Sequence, residues 1–348
     1  MNQSTIASLP ASKLQQWVSH MFIACGVPQD DANITAEALV EADLQGVASH
    51  GCMLLPMYVD RLQAGSVNPR PSIRVIEDRP SLLVIDADHG LGQVSSAYAV
   101  DMAMARARAT GVGMVAVRHA FHFGTAAFWS CRIAADGMIG AAMSNTRPLM
   151  PAPGGSERLI GNNPLSFAFP AIEGEPLVVD MATSSSAMGK IRNAERQGRS
   201  IPEGWATDKE GKPTTSPAEA IAGMLLPAAG PKGFGLAVLI DLLCGGISGG
   251  SIADQVQPLY GPADRAYDCA HWFMAIDAGQ MLGDRAAVLT RRIRESRQAA
   301  GIERIYAPGD LEREQRKKHQ NSISVEPALM SQFDKVADAL GLGRLLPS

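Results

Sequence analysis

Several things are scarce in this sequence, and each scarcity excludes something. Cysteines number five in 348 residues (Cys25, Cys52, Cys131, Cys244, Cys269). Their number is odd, their spacing is wide and no CxxC occurs. A disulfide framework and a cysteine-rich zinc site are thereby disfavoured, and reduced, cytosolic thiols are the default. A basic excess is also missing. Lys+Arg is 31 against Asp+Glu 35, for a net charge of −4, which argues against a nucleic-acid partner. Long apolar runs are few. The most apolar stretch, 233–253, carries Asp241 near its middle and is interrupted by glycines. It reads as a buried helix and turn rather than a membrane span. The first six residues, Met-Asn-Gln-Ser-Thr-Ile, have no basic region ahead of an apolar run, so no signal peptide is expected. Neither GxGxxG nor a Walker A motif occurs. Gly90-Leu-Gly92 follows a strand pattern, but Ser95 holds the third glycine position, so it reads as a turn rather than a phosphate loop.

What is present points to an α/β enzyme. The chain is 46% hydrophobic with 34 glycines, enough for one large core or two ordinary ones. Leu14, Trp17, Val18, Met21 and Phe22 share one helical face, and Gly26 and Pro28 end that helix. Asp30 or Asp31 is expected to cap the next, which runs to about Gly46, and a third covers 54–65. Strand patterns at 81–86, 112–117, 138–143, 165–169, 177–180 and 272–276 alternate with helical patterns at 94–110, 124–136 and 233–244. Such alternation predicts a layered α/β domain. Residues 200–217 read as a loop. The last sixty residues return to helix, and the basic-rich stretch 285–318 reads as a solvated face.

Chemistry-bearing residues are dispersed. His50 lies in Ser49-His50-Gly51 between two helical stretches, where the triplet is either a linker or a site wall. His122 lies in His119-Ala-Phe-His122-Phe-Gly124, just after a strand and expected at a helix start. That position suits a ligand-facing group or a capping imidazole, and the helix dipole there is expected to keep His122 neutral. Asp180-Met181-Ala182-Thr183-Ser184 ends a strand with an acid and small residues. It is either a phosphate or ribose site or a strand-to-helix cap. Lys232, in Gly230-Pro-Lys232-Gly233-Phe234-Gly235, opens an apolar helix as an anion site or a surface charge. Asp241 needs a partner if buried. His119 and His122 lack an obvious third metal ligand, so no metal site is assigned and a metal-dependent hydrolase is disfavoured.

Taken in order, Ser49-His50-Gly51, His122-Phe-Gly124, Gly161-Asn-Asn-Pro164, Asp180–Ser184, Gly189-Lys190, Gly230–Gly235 and Pro308-Gly309-Asp310 make the chain resemble the malate/L-lactate dehydrogenase type-2 family, from about residue 10 to 340. The resemblance implies a three-layer, mixed-sheet, non-Rossmann NAD(P)-binding α/β domain (77–284). A helical domain from both chain ends (1–76 with 285–348) completes the fold. It implies a cytoplasmic homodimer that uses NAD or NADP on a small carboxylate substrate. His50 falls on the family's proton donor, beside Ser49, and His122 on its second histidine. Cofactor contacts fall on His122, Thr146, Asp180, Met181, Ala182, Thr183, Lys232, Gly233, Phe234, Gly309 and Asp310. The expected activity is hydride transfer between nicotinamide and a 2-oxo or 2-hydroxy acid, with histidine handling the proton. A cyclic 2-imino acid such as Δ1-pyrroline-2-carboxylate is the alternative substrate. A catalytically inactive, cofactor-binding relative is the alternative of another class. One departure stands out: where the family carries arginine four residues after the motif histidine, this chain has Leu54. Leucine cannot hold a carboxylate, which leaves Arg61, Arg118, Arg147 and Arg192 as substitutes. Asn162 in place of the usual threonine is a milder departure.

Overall fold

A computed structural model describes residues 7–172 and 174–346. The first six residues, read above for a targeting signal, lie outside the described residues.

The chain opens with a short strand, β1 (Ala7–Leu9), and helices α1 (Ala11–Ala24), α2 (Gln29–Leu44) and α3 (Leu55–Gln63). Leu14, Trp17, Val18, Met21 and Phe22 are all buried, as their spacing predicts. Asp30 and Asp31 do not cap α2. Pro28 precedes the helix, and the two carboxylates sit in its first turn, where they oppose the positive end of the helix dipole. Between α2 and α3 run two 3-10 turns, Ala48–His50 and Cys52–Leu54.

Seven strands then build one sheet: β2 (Arg74–Asp78), β3 (Leu82–Asp86), β4 (Val112–Ala120), β5 (Ile139–Ser144), β6 (Leu165–Phe169), β7 (Leu177–Met181) and, much later, β11 (Cys269–Ile276). Their order is β2-β3-β4-β11-β5-β6-β7. Only β3 and β4 pair in parallel; β11 inserts antiparallel between β4 and β5. Through these pairings β3, β4, β5 and β7 all point the same way. Their C-terminal ends therefore share one edge of the sheet, and the segments after them emerge there together. The edge strand β2 is exposed along its whole length. With no buried face it has no alternating pattern to betray it.

Helices cover both faces. On one side α4 (Gly92–Thr110) and α5 (Ala126–Ala135) pack on Leu83, Ile85, Val115, Val117 and Phe273. On the other, α8 (Pro231–Asp241) and its π-helical continuation Leu242–Gly246 set Ile240 and Cys244 against Val84, Ala116, Met143 and Trp272. The period-two alternation of the strands is thus divided between two cores. Gly92 shows how tightly one of these layers sits: a β-carbon there would lie 2.0 Å from the Phe121 carbonyl oxygen. That close approach, rather than a phosphate, explains the glycine.

The segment 182–230 forms a satellite. It contains α6 (Met188–Arg196), α7 (Pro217–Ala222) and a small sheet of β8 (Ala206–Thr207), β9 (Pro213–Thr214) and β10 (Met224–Leu225). The stretch 200–217, read as loop, contributes two of these two-residue strands, which are too short to leave a period. After β11 come α9 (Gly279–Leu282), α10 (Arg285–Arg294), α11 (Asp310–His319), β12 (Ile323–Val325) and α12 (Pro327–Leu340). β12 pairs antiparallel with β1, and Phe333 of α12 meets Trp17 at 5.2 Å between ring centroids. The two chain ends therefore form one helical layer, and its core is continuous with the α4 side of the sheet. α10 instead packs near β7, with Ala286 buried beside Leu177.

Candidate active site

The His50 and His122 rings stack at 5.4 Å between centroids with a 29° interplanar angle. Two different layers deliver them. His50 ends the first 3-10 turn after α2, while His122 follows β4 at the shared sheet edge. The helix after His122 begins only at Ala126, so His122 lies before the helix rather than at its start. His122 is nonetheless held well below the usual imidazole range. The causes are desolvation first, then the neighbouring His50 and the buried His271. Neutrality was expected, but burial and two imidazoles supply it, not a dipole. Burial also lowers His50. Ser49 Oγ lies 3.0 Å from His50 Nδ1. The Tyr58 hydroxyl lies 2.7 Å from His122 Nδ1.

The turn that presents His50 depends on a residue with no sequence signal. Asp43, at the end of α2, accepts the Cys52 backbone N–H at 2.9 Å. Its carboxylate fills the space that a β-carbon on Gly51 would need. Desolvation pushes Asp43 up to about 6, against the pull of the Cys52 hydrogen bond. The start of α6 approaches Ser49: a β-carbon on Gly189 would meet the Ser49 Cβ at 3.8 Å.

The remaining candidate residues fall into two groups. Thr146, Thr183 and Gly233 meet where β5 and β7 end and α8 begins. Thr146 Oγ1 donates to Asn162 Oδ1 at 3.1 Å, and the Thr183 N–H to the Asn162 carbonyl at 3.1 Å. A β-carbon on Gly233 would collide with the Ala228 and Thr183 carbonyls. The Thr183 hydroxyl is buried, and among the described residues it has no partner. Ser184 differs: its hydroxyl donates to the Ser186 carbonyl at 2.8 Å, so it is already used within the chain. At α8 the Gly233 and Phe234 N–H groups bond Ala228 and Gly230, while the Lys232 side chain is exposed.

The second group, Asp180, Met181 and Gly309, lines a cavity of about 730 Å³ with Glu312, Arg313 and Tyr306. Asp180 is pushed up to about 7 by desolvation and by Glu312, partly offset by the Ala127 N–H. Asp310 lies behind this wall and is buried. Its carboxylate accepts from Arg294, Arg313 and the Ala307 N–H, which holds it well below the usual carboxylate range. All its acceptor directions are committed, so it ties down the Gly309 turn. Asp241 finds one partner, the Ala253 N–H at 2.9 Å.

Of the four arginines, two are committed. Arg61 is buried and donates to the carbonyls of Pro258, Leu259 and Arg265. Arg118 bonds Asp86. Arg192 lies over the Tyr260 ring. Arg147 is half-buried and is lowered by desolvation and by Arg158 and Arg192. Leu54 itself is buried in the helical core. Among the described residues no group of three His, Cys, Asp or Glu side chains could hold a metal ion. No helix among them is long and apolar enough to cross a membrane.

Comparison with known proteins agrees over nearly the whole chain. L-sulfolactate dehydrogenase of Methanocaldococcus jannaschii is 39% identical over 91% of this chain and 92% of its own. A solved structure of sulfolactate dehydrogenase from that organism superposes with a TM-score of 0.91, covering 97% of this chain and 98% of the other at 37% identity. The (2R)-3-sulfolactate dehydrogenase (NADP(+)) of Chromohalobacter salexigens is 39% identical over 73% of this chain and 76% of its own. The ureidoglycolate dehydrogenase (NAD(+)) of Escherichia coli is 33% identical over 90% of each. Sulfolactate and ureidoglycolate are both 2-hydroxy acids, and each of these relatives is an oxidoreductase. The family model for malate/L-lactate dehydrogenase matches residues 9–334, and this chain, an oxidoreductase with the same mixed-sheet fold, belongs to that family.

Proposed function

We propose that this chain is an NAD(P)-dependent dehydrogenase that interconverts a small 2-oxo acid and its 2-hydroxy acid, with His50 exchanging the proton. The observation that carries the reading is the His50–His122 stack at the sheet edge, with Ser49 on His50. When bound, the nicotinamide supplies or takes the hydride. The residues fit such a group in two places. The cavity at Asp180, Met181 and Gly309 has the size of a small-molecule site. The unpartnered Thr183 hydroxyl, beside Ala182 in sequence and near Thr146 through Asn162, offers a donor, and Lys232, Gly233 and Phe234 at the start of α8 offer a cation and close backbone, for a phosphate or ribose.

The protein's own work is to place the substrate and move one proton. A reduced carbonyl oxygen gains that proton from His50, and the reverse reaction returns it there. Two stacked imidazoles cannot both carry charge at low cost, so only one member exchanges a proton at a time. Arg147, for which no side-chain partner is found among the described residues, supports the role of carboxylate receptor that Leu54 leaves empty. We also assign the helical domain to 1–76 with 285–348 and the cofactor domain to 77–284, and the chain to the cytoplasm. A homodimer completes the reading. Leu236, Leu239, Leu242 and Ile247 leave an apolar stripe exposed along α8 and its extension, which a second copy would cover.

The test is loss of nicotinamide absorbance with NADH and NADPH against pyruvate, oxaloacetate, sulfopyruvate, 2,3-diketogulonate and Δ1-pyrroline-2-carboxylate. Turnover of an oxo acid is expected. Turnover of the cyclic imine alone would replace the oxo acid with an imino acid. Tight cofactor binding without turnover would leave an inactive relative.

A further inference from the structure

We infer that Tyr58, backed by Gln93, fixes the tautomer of His122, so that its N–H sits on Nε2 and His50 alone exchanges the proton. This rests on the reading of the stacked pair as the reacting site.

Tyr58 lies in α3, fully buried, between Phe22 at 6.1 Å and Phe121 at 4.9 Å, centroid to centroid. Three contacts converge on its hydroxyl. Gln93 Nε2 donates to it at 3.1 Å. His122 Nδ1 lies 2.7 Å away and the His122 carbonyl oxygen 3.0 Å away. A fourth contact bears on the same nitrogen: the Gly124 N–H points at His122 Nδ1 from 3.4 Å.

The protons can be counted. An amide nitrogen only donates, so Gln93 occupies an acceptor lobe of the phenol oxygen and leaves the phenol its own proton to give. Its two acceptors are His122 Nδ1 and the His122 carbonyl, and the nitrogen is the nearer. Gly124 can only donate as well. A ring nitrogen that receives both Tyr58 and Gly124 carries no proton of its own. The single proton of a neutral imidazole then resides on Nε2. His122 thus stands beside His50 as a hydrogen-bond donor, ready to polarise a carbonyl or steady a hydroxyl. His50, whose Nδ1 meets only the small Ser49 hydroxyl, keeps the freedom to gain and lose a proton. The second acceptor on Tyr58 also matters. If His122 takes a proton on Nδ1, the phenol can turn to the carbonyl and accept the new N–H.

The experiment is nitrogen-15 NMR of the full-length protein labelled at histidine, with His122→Asn to identify the resonances. Neutral His122 is expected to show a pyrrole-type Nε2 and a pyridine-type Nδ1. Tyr58→Phe keeps the buried ring, and thermal melting checks that it folds. It is expected to convert His122 to a mixture of tautomers. It should also lower kcat about tenfold or more with little change in KM, and move the pH profile. Gln93→Leu is expected to do the same more weakly. A pyrrole-type Nδ1 in the unaltered protein would mean that Tyr58 donates to the His122 carbonyl and accepts from Nδ1 instead, and it would overturn the inference. So would an unchanged tautomer in Tyr58→Phe. The spectra need no substrate. A protein that reduces no oxo acid yet shows the expected tautomer loses the functional reading but keeps this one.

Discussion

Two pairs of stacked histidines occur among the described residues, and they differ in role. His50 and His122 stack at 5.4 Å and 29°; His89 and His119 stack at 5.0 Å and 27°. The stacking geometry is nearly the same, and the surroundings differ. His119 Nδ1 bonds the buried Asp86 at 3.1 Å. Asp86 also meets Arg74, Arg118 and the Asp88 N–H. That pair belongs to a charged network closing the ends of β3 and β4. Its backbone is strained: Asp88, His89 and His119 all have φ near +50°, unfavourable for residues with a β-carbon. Among the described residues the other pair has no carboxylate partner; its hydrogen bonds run to Ser49, Tyr58 and the Gly124 N–H, and it is pushed toward neutrality. The carboxylate holds one pair in a structural network; the proposed proton exchange is assigned to the pair without one.

This contrast can be broken most directly by substitution. His50→Ala should lower kcat by about 10²- to 10⁴-fold while leaving the NAD(P)H dissociation constant nearly unchanged. His119→Ala should leave kcat within a few-fold. Equal losses would erase the distinction. Next in size is Asp86→Asn, which leaves Arg118 and His119 without their acceptor charge. It should cost about 1–3 kcal/mol in thermal or urea unfolding with little effect on turnover. A kcat loss without destabilisation would move Asp86 into the active site.

The pH dependences should separate as well. For Asp86, desolvation is outweighed by the Asp88 N–H, His119 and Arg118, so its folded pKa is depressed. Its stabilisation is present above the ordinary carboxylate pKa and is lost as pH falls through the lower folded one. The wild type should therefore lose more stability in acid than Asp86→Asn. For His50 the pKa is lowered by burial. Oxidation of a hydroxy acid, which needs the neutral base, should hold down to about pH 6.5 and fall only below it. A limb above that range would mean a charged His50. The smallest effect is expected from Lys232→Ala, a several-fold weaker cofactor dissociation constant with kcat retained.

The sequence carried the sheet better than it carried the site. Strands such as 165–169 alternate because two cores flank them, and that burial writes itself into the residue pattern. β2 left no trace because it buries nothing, and α6 because only Ile191 and Ala194 are buried. At the site, the ordered motifs brought His50, His122 and Thr183 to notice, but not what surrounds them. Asp43 and Tyr58 look like ordinary residues of amphipathic helices. Their contacts reach Cys52, nine residues away, and His122, 64 residues away. Asp310 looked like a ligand group because its turn is part of a motif. Of the two arginines that neutralise it, Arg313 follows one turn later in α11, but Arg294 comes from the end of α10, sixteen residues earlier, and no local spacing announces it.

The pairing of Ala7–Leu9 with Ile323–Val325 has a consequence for how the protein is made. The ribosome delivers His50 and His122 long before it delivers the strand and helix that close the layer around α1 and α3. Arg316 and His319, which bond Glu41 and the Leu44 carbonyl near the His50 turn, emerge later still than the whole sheet. The cleft is thus among the last parts to be completed, after a loop closure of more than three hundred residues. A chain ending before residue 310 would lack the β1–β12 pairing and the Arg316 and His319 bonds that brace α2 next to the His50 turn, so its helical layer would be left unclosed.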